Sequence, residues 1–381
     1  MKKKSNNLKE LLEEGIVSPA IFPETNLWIY NKKGKEYINK LKLNHNESEI
    51  QNFHSSFKNY FNLIDNTVLR NTDYYTLFTI DHDYPGKSAL MQNSVFSDIK
   101  GKNVKSLFLV ADPKYSSKIY STLKRDKKYL GGGAGSGFKD KILENLDELH
   151  ESSKLVGSVN AVLKSSKGNL IGFNSDGVGF RIGLEKLSGK NYFSNKKIVF
   201  LGSGGVAPPL VYEITKFNPS EIVIVNRTIQ KAINLIKKFE RYFPKIKFKG
   251  VGENKLTESL KDARLVINVS NKGTGKFKDY TAFARVNNST TLNEHYKESE
   301  ENISGLEKRA IVSDIVISDK KTKTLELAER KGYKIQDGKL MVLYQAVPVL
   351  ENILKENKIN LGLEEISKEK IEETMKRALF S

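Results

Sequence analysis

From Tyr74 onward, short runs of β-branched and aromatic residues alternate with longer stretches in which apolar positions recur every three or four residues. The switch between these two periods predicts strands and helices in turn, and so an α/β chain with mainly parallel sheets. Strands are expected at residues 75–80, 106–110, 161–164 and 170–172, and helices at 89–96, 115–123 and 139–149. A second α/β block covers residues 196–337, with strands at 198–201, 221–225, 265–269, 310–315 and 334–335. Within it, residues 273–309 are polar, with an acidic run at 298–301, and predict a surface insertion, mobile or with a helix of its own. Amphipathic helices are expected at 341–355 and 364–379. Residues 1–70 are the least regular: a helical start at 8–14, a strand-like Leu27-Trp28-Ile29-Tyr30 and a helix around 49–63, with nothing catalytic.

The most informative stretch is residues 196–238. A buried strand runs into the turn Gly202-Ser203-Gly204-Gly205-Val206-Ala207, a helix follows, and a second strand ends at Asn226-Arg227-Thr228. A glycine turn that opens a helix after a strand suits a dinucleotide pyrophosphate, because free backbone N–H groups and the helix dipole both favour an anion there. Pro208 and Pro209 fall in the first helical turn, where a missing N–H is tolerated. An NAD site usually has Asp or Glu at the end of the second strand to hold the ribose 2′-OH. Asn226 and Arg227 suit a 2′-phosphate instead, which points to NADP.

Composition narrows the remaining classes. At 381 residues, 38% hydrophobic and 28% charged, the chain has the make-up of a globular protein with two or three domains. No apolar run approaches the ~18 residues of a membrane helix. The charged residues that follow Met1-Lys2-Lys3-Lys4 argue against a signal peptide, so a cytoplasmic location is expected. With no cysteine, disulfides, Cys-ligated zinc, iron–sulfur clusters and thiol nucleophiles are excluded. His45, His54, His82, His150 and His295 are scattered, and Asp81-His82-Asp83 reads as a polar turn, so no metal is expected. The net charge of +18 comes from lysines mixed with glutamates, without a nucleic-acid-reading motif. It predicts a solvated surface that steers anionic ligands, not a nucleic-acid partner.

Further blocks then appear in order. Gly157-Ser158-Val159-Asn160-Ala161-Val162 looks like G-A-V-N-T-V, and Gly172-Phe173-Asn174-Ser175-Asp176-Gly177-Val178-Gly179 like G-x-N-T-D-G-x-G. The glycine turn is similar to G-A-G-G-A-A/S, and Asn226-Arg227-Thr228 with Lys231-Ala232 to N-R-T-x-x-[RK]-A. Asn268-Val269-Ser270-Asn271-Lys272-Gly273 is similar to N-A-T-S-x-G, and Asp337-Gly338 with Met341, Gln345 and Ala346 to D-G-x-x-M-L-x-x-Q-A. Over residues 78–351 the chain therefore resembles the shikimate dehydrogenases, NADP-dependent enzymes of chorismate biosynthesis.

The resemblance implies hydride transfer between NADPH and the C3 carbonyl of 3-dehydroshikimate, with Lys139 and Asp176 at the positions of the catalytic pair. Reduction of a carbonyl builds charge on oxygen and needs a proton there, which an ammonium held by a carboxylate can provide. The resemblance places Asn160 and Gln345 on substrate hydroxyls. It puts Arg227, Thr228 and Lys231 at the adenosine end of the cofactor, Ser270 near the nicotinamide, and Gly338 with the cofactor residues.

The substrate positions depart from the pattern. The family's S-x-S-P-x-x-H-N aligns with residues 86–93, so one carboxylate-holding serine is Ser88 and the other is Gly86. The family's N-V-T-x-P becomes Gly133-Ala134-Gly135-Ser136-Gly137, which loses a threonine and a proline, and its tyrosine after the D-x-x strand is Ile317, following Asp314. Each lost hydrogen bond to substrate is worth roughly 1–3 kcal/mol, with Lys87 or Ser136 as replacement anchors. The run 131–137 fails the P-loop pattern and reads as a flexible segment before Lys139.

The sequence thus predicts a two-domain α/β protein. A substrate domain would be formed by residues 71–178 with 340–381, and a Rossmann-type, doubly wound NADP domain by 179–339, after an N-terminal extension, 1–70, of unknown role. Both ligands are expected in the cleft between the domains. The expected activity is NADP-dependent oxidation and reduction of a polyol carboxylate. Alternatives are a dehydrogenase for another such acid, for example quinate, and a non-catalytic NADP-binding homologue. The oligomeric state is not encoded in any feature of the chain.

Overall fold

The computed structural model describes residues 7–14, 16–19, 72–80, 87–99, 103–135, 137–287, 289–318, 320–361 and 367–380. The expected strand 27–30, the helix near 49–63, and Gly86, Ser136, His45, His54 and Asp81-His82-Asp83 lie outside them. The chain divides into two compact units, Met1–Ser175 with Ala346–Ser381, and Asp176–Gln345.

The first unit contains α1 (Leu8–Glu13), β1 (Val17–Pro19), β2 (Thr72–Thr79), α2 (Lys87–Ser97), β3 (Asn103–Ala111), α3 (Ser116–Arg125), β4 (Tyr129–Ala134), β5 (Glu148–Leu149), α4 (Glu151–Val156), β6 (Ala161–Lys164) and β7 (Leu170–Phe173). The strands form one seven-stranded sheet in the order β1-β3-β2-β4-β6-β7-β5. β2 pairs in parallel with both β3 and β4, whereas β6 runs antiparallel to β4 and β7. One face of the sheet buries Tyr74, Phe78, Leu109 and Ala134 under Ile119, Tyr120 and Leu123 of α3. Leu8, Leu11 and Val17 of the N-terminal segment belong to the same core, and the Leu8 N–H is received by the Asp126 carboxylate. Part of the N-terminal extension therefore completes the sheet edge.

β4 corrects two sequence expectations. The glycine run is not a flexible segment: Gly131, Gly132 and Gly133 are buried in a central strand. A Cβ on Gly131 would run into the Val162 carbonyl oxygen, and one on Gly133 into the Leu77 side chain. Nor do residues 139–149 form a helix. The Lys139 carbonyl accepts from the Val159 N–H at 2.7 Å, and the Asp147 N–H donates to Leu170 O at 2.9 Å. The segment is a turn pinned to β6 and β7 rather than a helix closed on itself, with Phe138 and Ile142 as buried anchors.

The second unit contains α5 (Asp176–Ser188), β8 (Lys197–Leu201), α6 (Ala207–Thr215), β9 (Glu221–Val225), α7 (Ile229–Phe239), β10 (Lys247–Val251), α8 (Leu256–Leu260), β11 (Leu265–Asn268), α9 (Leu292–Ile303), β12 (Ile311–Asp314), α10 (Lys323–Arg330) and β13 (Lys334–Gln336). α11 (Gly338–Leu361) contains the boundary between the units in the chain, and α12 (Lys368–Phe380) follows. The six strands are all parallel, in the order β10-β9-β8-β11-β12-β13. Numbered along the chain this is 3-2-1-4-5-6, the doubly wound order of dinucleotide-binding folds. Helices on both faces require apolar residues on both, which explains the uninterrupted runs Ile222-Val223-Ile224-Val225 and Leu265-Val266-Ile267.

The segment 273–309 is not simply a surface insertion. It has its own helix, α9, capped where the Thr291 hydroxyl accepts from the Glu294 N–H and the Glu294 carboxylate accepts from the Thr291 N–H. It also sends Ala282, Phe283 and Ala284 into the core beside Ile303. His295 is fully buried. Its Nε2 accepts from the Thr281 N–H at 3.0 Å, so Nδ1 carries the proton and donates to Arg285 O at 3.1 Å. Burial pushes the His295 pKa down, which keeps the ring neutral in this role.

Candidate functional site

At the end of β8 the chain turns through Gly202 with φ +115°, a conformation L side chains rarely adopt. A Cβ there would also stand 2.9 Å from the Ser270 nitrogen. Gly202 thus lets two loops meet, one after β8 and one after β11, where a doubly wound sheet reverses its winding. α6 begins at Ala207, with the two prolines in its first turn as expected.

The loop after β11 is shaped by one buried amide. Asn268 Oδ1 accepts from the Ser270 N–H at 3.0 Å and from Ser270 Oγ at 2.7 Å. Its Nδ2 donates to Lys272 O at 2.9 Å and to Asp314 Oδ1 at 3.0 Å. Asp314 also receives the Val316 N–H and the Thr322 hydroxyl. Burial pushes its carboxyl up to about 6, against the pull of those hydrogen bonds. Asn268 and Asp314 are buried supports that hold Ser270 at the rim of a pocket.

That pocket, about 360 Å³, is lined by Gly202, Ser203 and Gly204 from the first loop, by Asn226, Arg227, Thr228 and Lys231 from the β9–α7 turn, and by Ser270, Asn271 and Lys272. Most of the nucleotide residues expected from the sequence therefore line one cavity. Gly205, Val206, Ala207 and Gly338 are not among its lining residues. Ala207 is buried in the first turn of α6, and a Cβ on Gly338 would lie 2.5 Å from Ile315 O, so both are tightly packed.

The residues present fit a phosphorylated dinucleotide. The Ser203 hydroxyl, in the turn that lines the cavity, is buried without a hydrogen-bond partner among the described residues. No carboxylate stands at the end of β9. Asn226 is folded back, its Nδ2 donating to Thr228 O at 2.9 Å, while Arg227 and Lys231 are exposed. Glu253 also lines this pocket and is joined to Lys272. Nothing local in the sequence marks a pair formed across the fold in this way.

In the first unit, Lys139 and Asn160 are brought together through the backbone bond from Val159 to Lys139. Asn160 in turn grips Ser175: its Oδ1 accepts the Ser175 N–H at 2.9 Å and its Nδ2 donates to Ser175 Oγ at 3.1 Å. Asn174 Nδ2 donates to Ser158 Oγ at 3.0 Å, so the two motif blocks are tied side chain to side chain. Lys87 and Ser88 occupy the first turn of α2, half-buried. That helix is clamped to β3 by Asn93, which exchanges bonds of 2.8 and 3.0 Å with the Ser106 backbone, and by Ser106 Oγ to Gln92 at 2.6 Å. In the second unit Asp176 is buried at the N-terminus of α5, where the helix dipole favours a carboxylate. Gln345, on α11, has its Oε1 buried without a partner among the described residues. Among the described residues no cluster of His, Asp or Glu is arranged to hold a metal ion, and no helix is long and apolar enough to cross a membrane.

Comparison with known proteins shows what the chain is similar to. The family model for Shikimate / quinate 5-dehydrogenase matches residues 185–274. The chain is 33% identical over 211 residues to a shikimate dehydrogenase (NADP(+)) of Alkaliphilus metalliredigens, covering 54% of this chain and 66% of that protein. It is 30% identical over 230 residues to the shikimate dehydrogenase (NADP(+)) of Alkaliphilus oremlandii, covering 59% of this chain and 72% of the relative. A crystal structure of a shikimate dehydrogenase in complex with NADP+ shares the fold at a TM-score of 0.63 and 24% identity, over 81% of this chain and 96% of that one.

Proposed function

The chain belongs to the shikimate dehydrogenase family, and on that premise we propose that it interconverts 3-dehydroshikimate and shikimate with NADP as its cofactor, a step of chorismate and aromatic amino-acid biosynthesis. The observation that carries this reading is the pocket at the ends of β8, β9 and β11. It presents an unpartnered serine hydroxyl, Arg227, Thr228 and Lys231, and no acid where an NAD site would need one. A cytoplasmic setting and a small carboxylate substrate, rather than nucleic acid, complete the proposal.

When bound, the reduced nucleotide supplies the hydride. Ser203 and Gly204 present backbone N–H groups to its pyrophosphate, while the Gly202 N–H is held by Val225 O at 2.8 Å; Arg227 and Lys231 neutralise the 2′-phosphate, and Ser270 flanks the nicotinamide. The Lys139 ammonium gives a proton to the substrate oxygen as charge develops there, and Asp176 is the carboxylate member of the catalytic pair. Asn160, held by Ser175, and Gln345, with its free carbonyl oxygen, receive substrate hydroxyls; Ser88 and Lys87 take the carboxylate.

A second reading, the same chemistry on another acid such as quinate, rests on Gly135. A Cβ there would sit 2.9 Å from the Phe78 carbonyl oxygen, so the family's threonine has no room. Turnover of shikimate and quinate with NADP, followed as NADPH absorbance, decides between them. Lys139→Ala should reduce kcat by about 10²–10⁴-fold with NADPH affinity unchanged. Unaltered turnover in that variant would remove Lys139 from the chemistry.

A further inference from the structure

One wall of the nucleotide pocket is not used by the phosphate-binding residues. It is formed by Glu253, in the turn after β10, and Lys272, after β11. Lys272 Nζ lies 2.9 Å from Glu253 Oε1 and donates to Ala284 O at 2.6 Å. Lys272 is only 9% exposed. A buried ion pair carries a desolvation penalty that apolar residues of similar size would avoid. If the wall only had to be closed, Leu256, Phe277 and Ala282 show that this chain has apolar residues there to do it.

The pair is also incompletely used. Among the described residues Glu253 Oε2 accepts no hydrogen bond, and two of the three Lys272 ammonium protons are taken, by Glu253 and Ala284. An open acceptor therefore stands beside an open donor. Strand order says what should face them. With the pyrophosphate at the β8 turn and the 2′-phosphate at the end of β9, the base lies farther along, toward the end of β10, where Glu253 stands and where the Lys272 side chain reaches across from the loop after β11. On its N7 edge adenine presents a 6-amino donor next to the N7 acceptor, whereas a 6-oxopurine presents acceptors at both places.

We infer that Glu253 and Lys272 form a base-reading couple. Glu253 Oε2 accepts from the adenine 6-amino group, Lys272 donates to the adjacent ring nitrogen, and the pocket thereby selects adenine over 6-oxopurine nucleotides. The inference rests on the NADP reading of this pocket and adds to it the residues that recognise the base. A hydroxyl or amine that a site is built to bind is discriminated strongly, because its absence leaves buried polar groups unmatched.

The test is calorimetric and needs no turnover. NADPH and its hypoxanthine analogue, nicotinamide hypoxanthine dinucleotide phosphate, are titrated into the wild type, Glu253→Gln and Lys272→Gln, with melting curves to verify folding. The wild type should prefer NADPH by about 30-fold. Glu253→Gln, whose amide can turn to donate or accept, should shrink that preference to about threefold, weakening NADPH and improving the analogue. Lys272→Gln should weaken NADPH and keep a preference intermediate between the two. Equal binding of both nucleotides by the wild type, or an unchanged preference in a folded Glu253→Gln, overturns the inference alone. No binding of NADPH to the wild type overturns the cofactor reading and the inference with it.

Discussion

The chain has two glycine runs that look alike in sequence and do opposite work. In β4, Gly131, Gly132 and Gly133 are buried, and a Cβ on the first two would meet fixed backbone, the Val162 carbonyl and the Thr76 carbonyl at 2.7 Å, while one on the third would meet the Leu77 side chain. In the turn after β8, Gly204 would bring its Cβ no closer than 3.4 Å to any atom, and Gly205 would meet nothing within 4 Å. The first run lets three strands approach where no side chain fits. The second leaves an unobstructed surface of backbone N–H groups. Composition alone cannot separate these uses; what separates them is the flanking pattern. Gly202–Gly205 sits between an apolar strand and a proline-started helix, whereas Gly131–Gly133 lies inside its strand.

Gly131→Ala should break the comparison most visibly, by the largest effect. The residue has φ +147°, and its Cβ would overlap a carbonyl of the neighbouring strand that cannot rotate away. Overpacking of about 1–3 kcal/mol adds to a backbone strain of similar size. The urea midpoint of the first unit should fall steeply, and a folded, fully stable Gly131→Ala protein would show that β4 is looser than its packing implies.

How much could be read from the chain follows the same division. The strands at 161–164 and 221–225, the turn at Gly202 and the helices at 87–97 and 338–361 were legible because each carries its signal locally. β4 was not, since glycine is among the poorest strand formers and only the neighbours' backbone explains its presence. β10 was missed for another reason. It is an edge strand with Lys247 and Lys249 exposed, both near Glu221, and an edge guarded by lysines has no apolar run to announce it. The expected helix at 139–149 was lost to hydrogen bonds with residues 159 and 170, which no local periodicity can reveal. His295 looks in sequence like any other of the scattered histidines, because its role depends on Thr281 and Arg285 being folded around it. At the site, the phosphate-binding turn was visible in one stretch of sequence, whereas Glu253 and Lys272 stand 19 positions apart and meet only in the folded unit.

The nucleotide run can be tested at its charged end. Arg227→Ala removes an exposed guanidinium that makes no ion pair among the described residues, so the fold should be indifferent. A charge-assisted contact to phosphate is worth about 1.5–3 kcal/mol. NADPH affinity should drop roughly 10–100-fold by titration calorimetry, with NADH nearly unaffected. Equal losses for both would place Arg227 on a part of the cofactor they share.

Gly204→Ala gives the smallest effect and the most direct contrast with Gly131→Ala. A methyl group at this exposed position fits the free protein, because its nearest neighbour, Val269 O, would be at an ordinary contact distance of 3.4 Å. Stability should stay within about 0.5 kcal/mol of the wild type and can rise slightly, since alanine restricts the unfolded chain. The same methyl stands where a phosphate must come close to the backbone. NADPH should therefore bind roughly fivefold more weakly, about 1 kcal/mol, while the melting temperature does not move. One added carbon would then unfold β4 and leave the turn after β8 folded but less able to hold its ligand. If Gly204→Ala instead lowered the melting temperature and left NADPH affinity intact, the turn would be another packing device, and the distinction between the two glycine runs would fail.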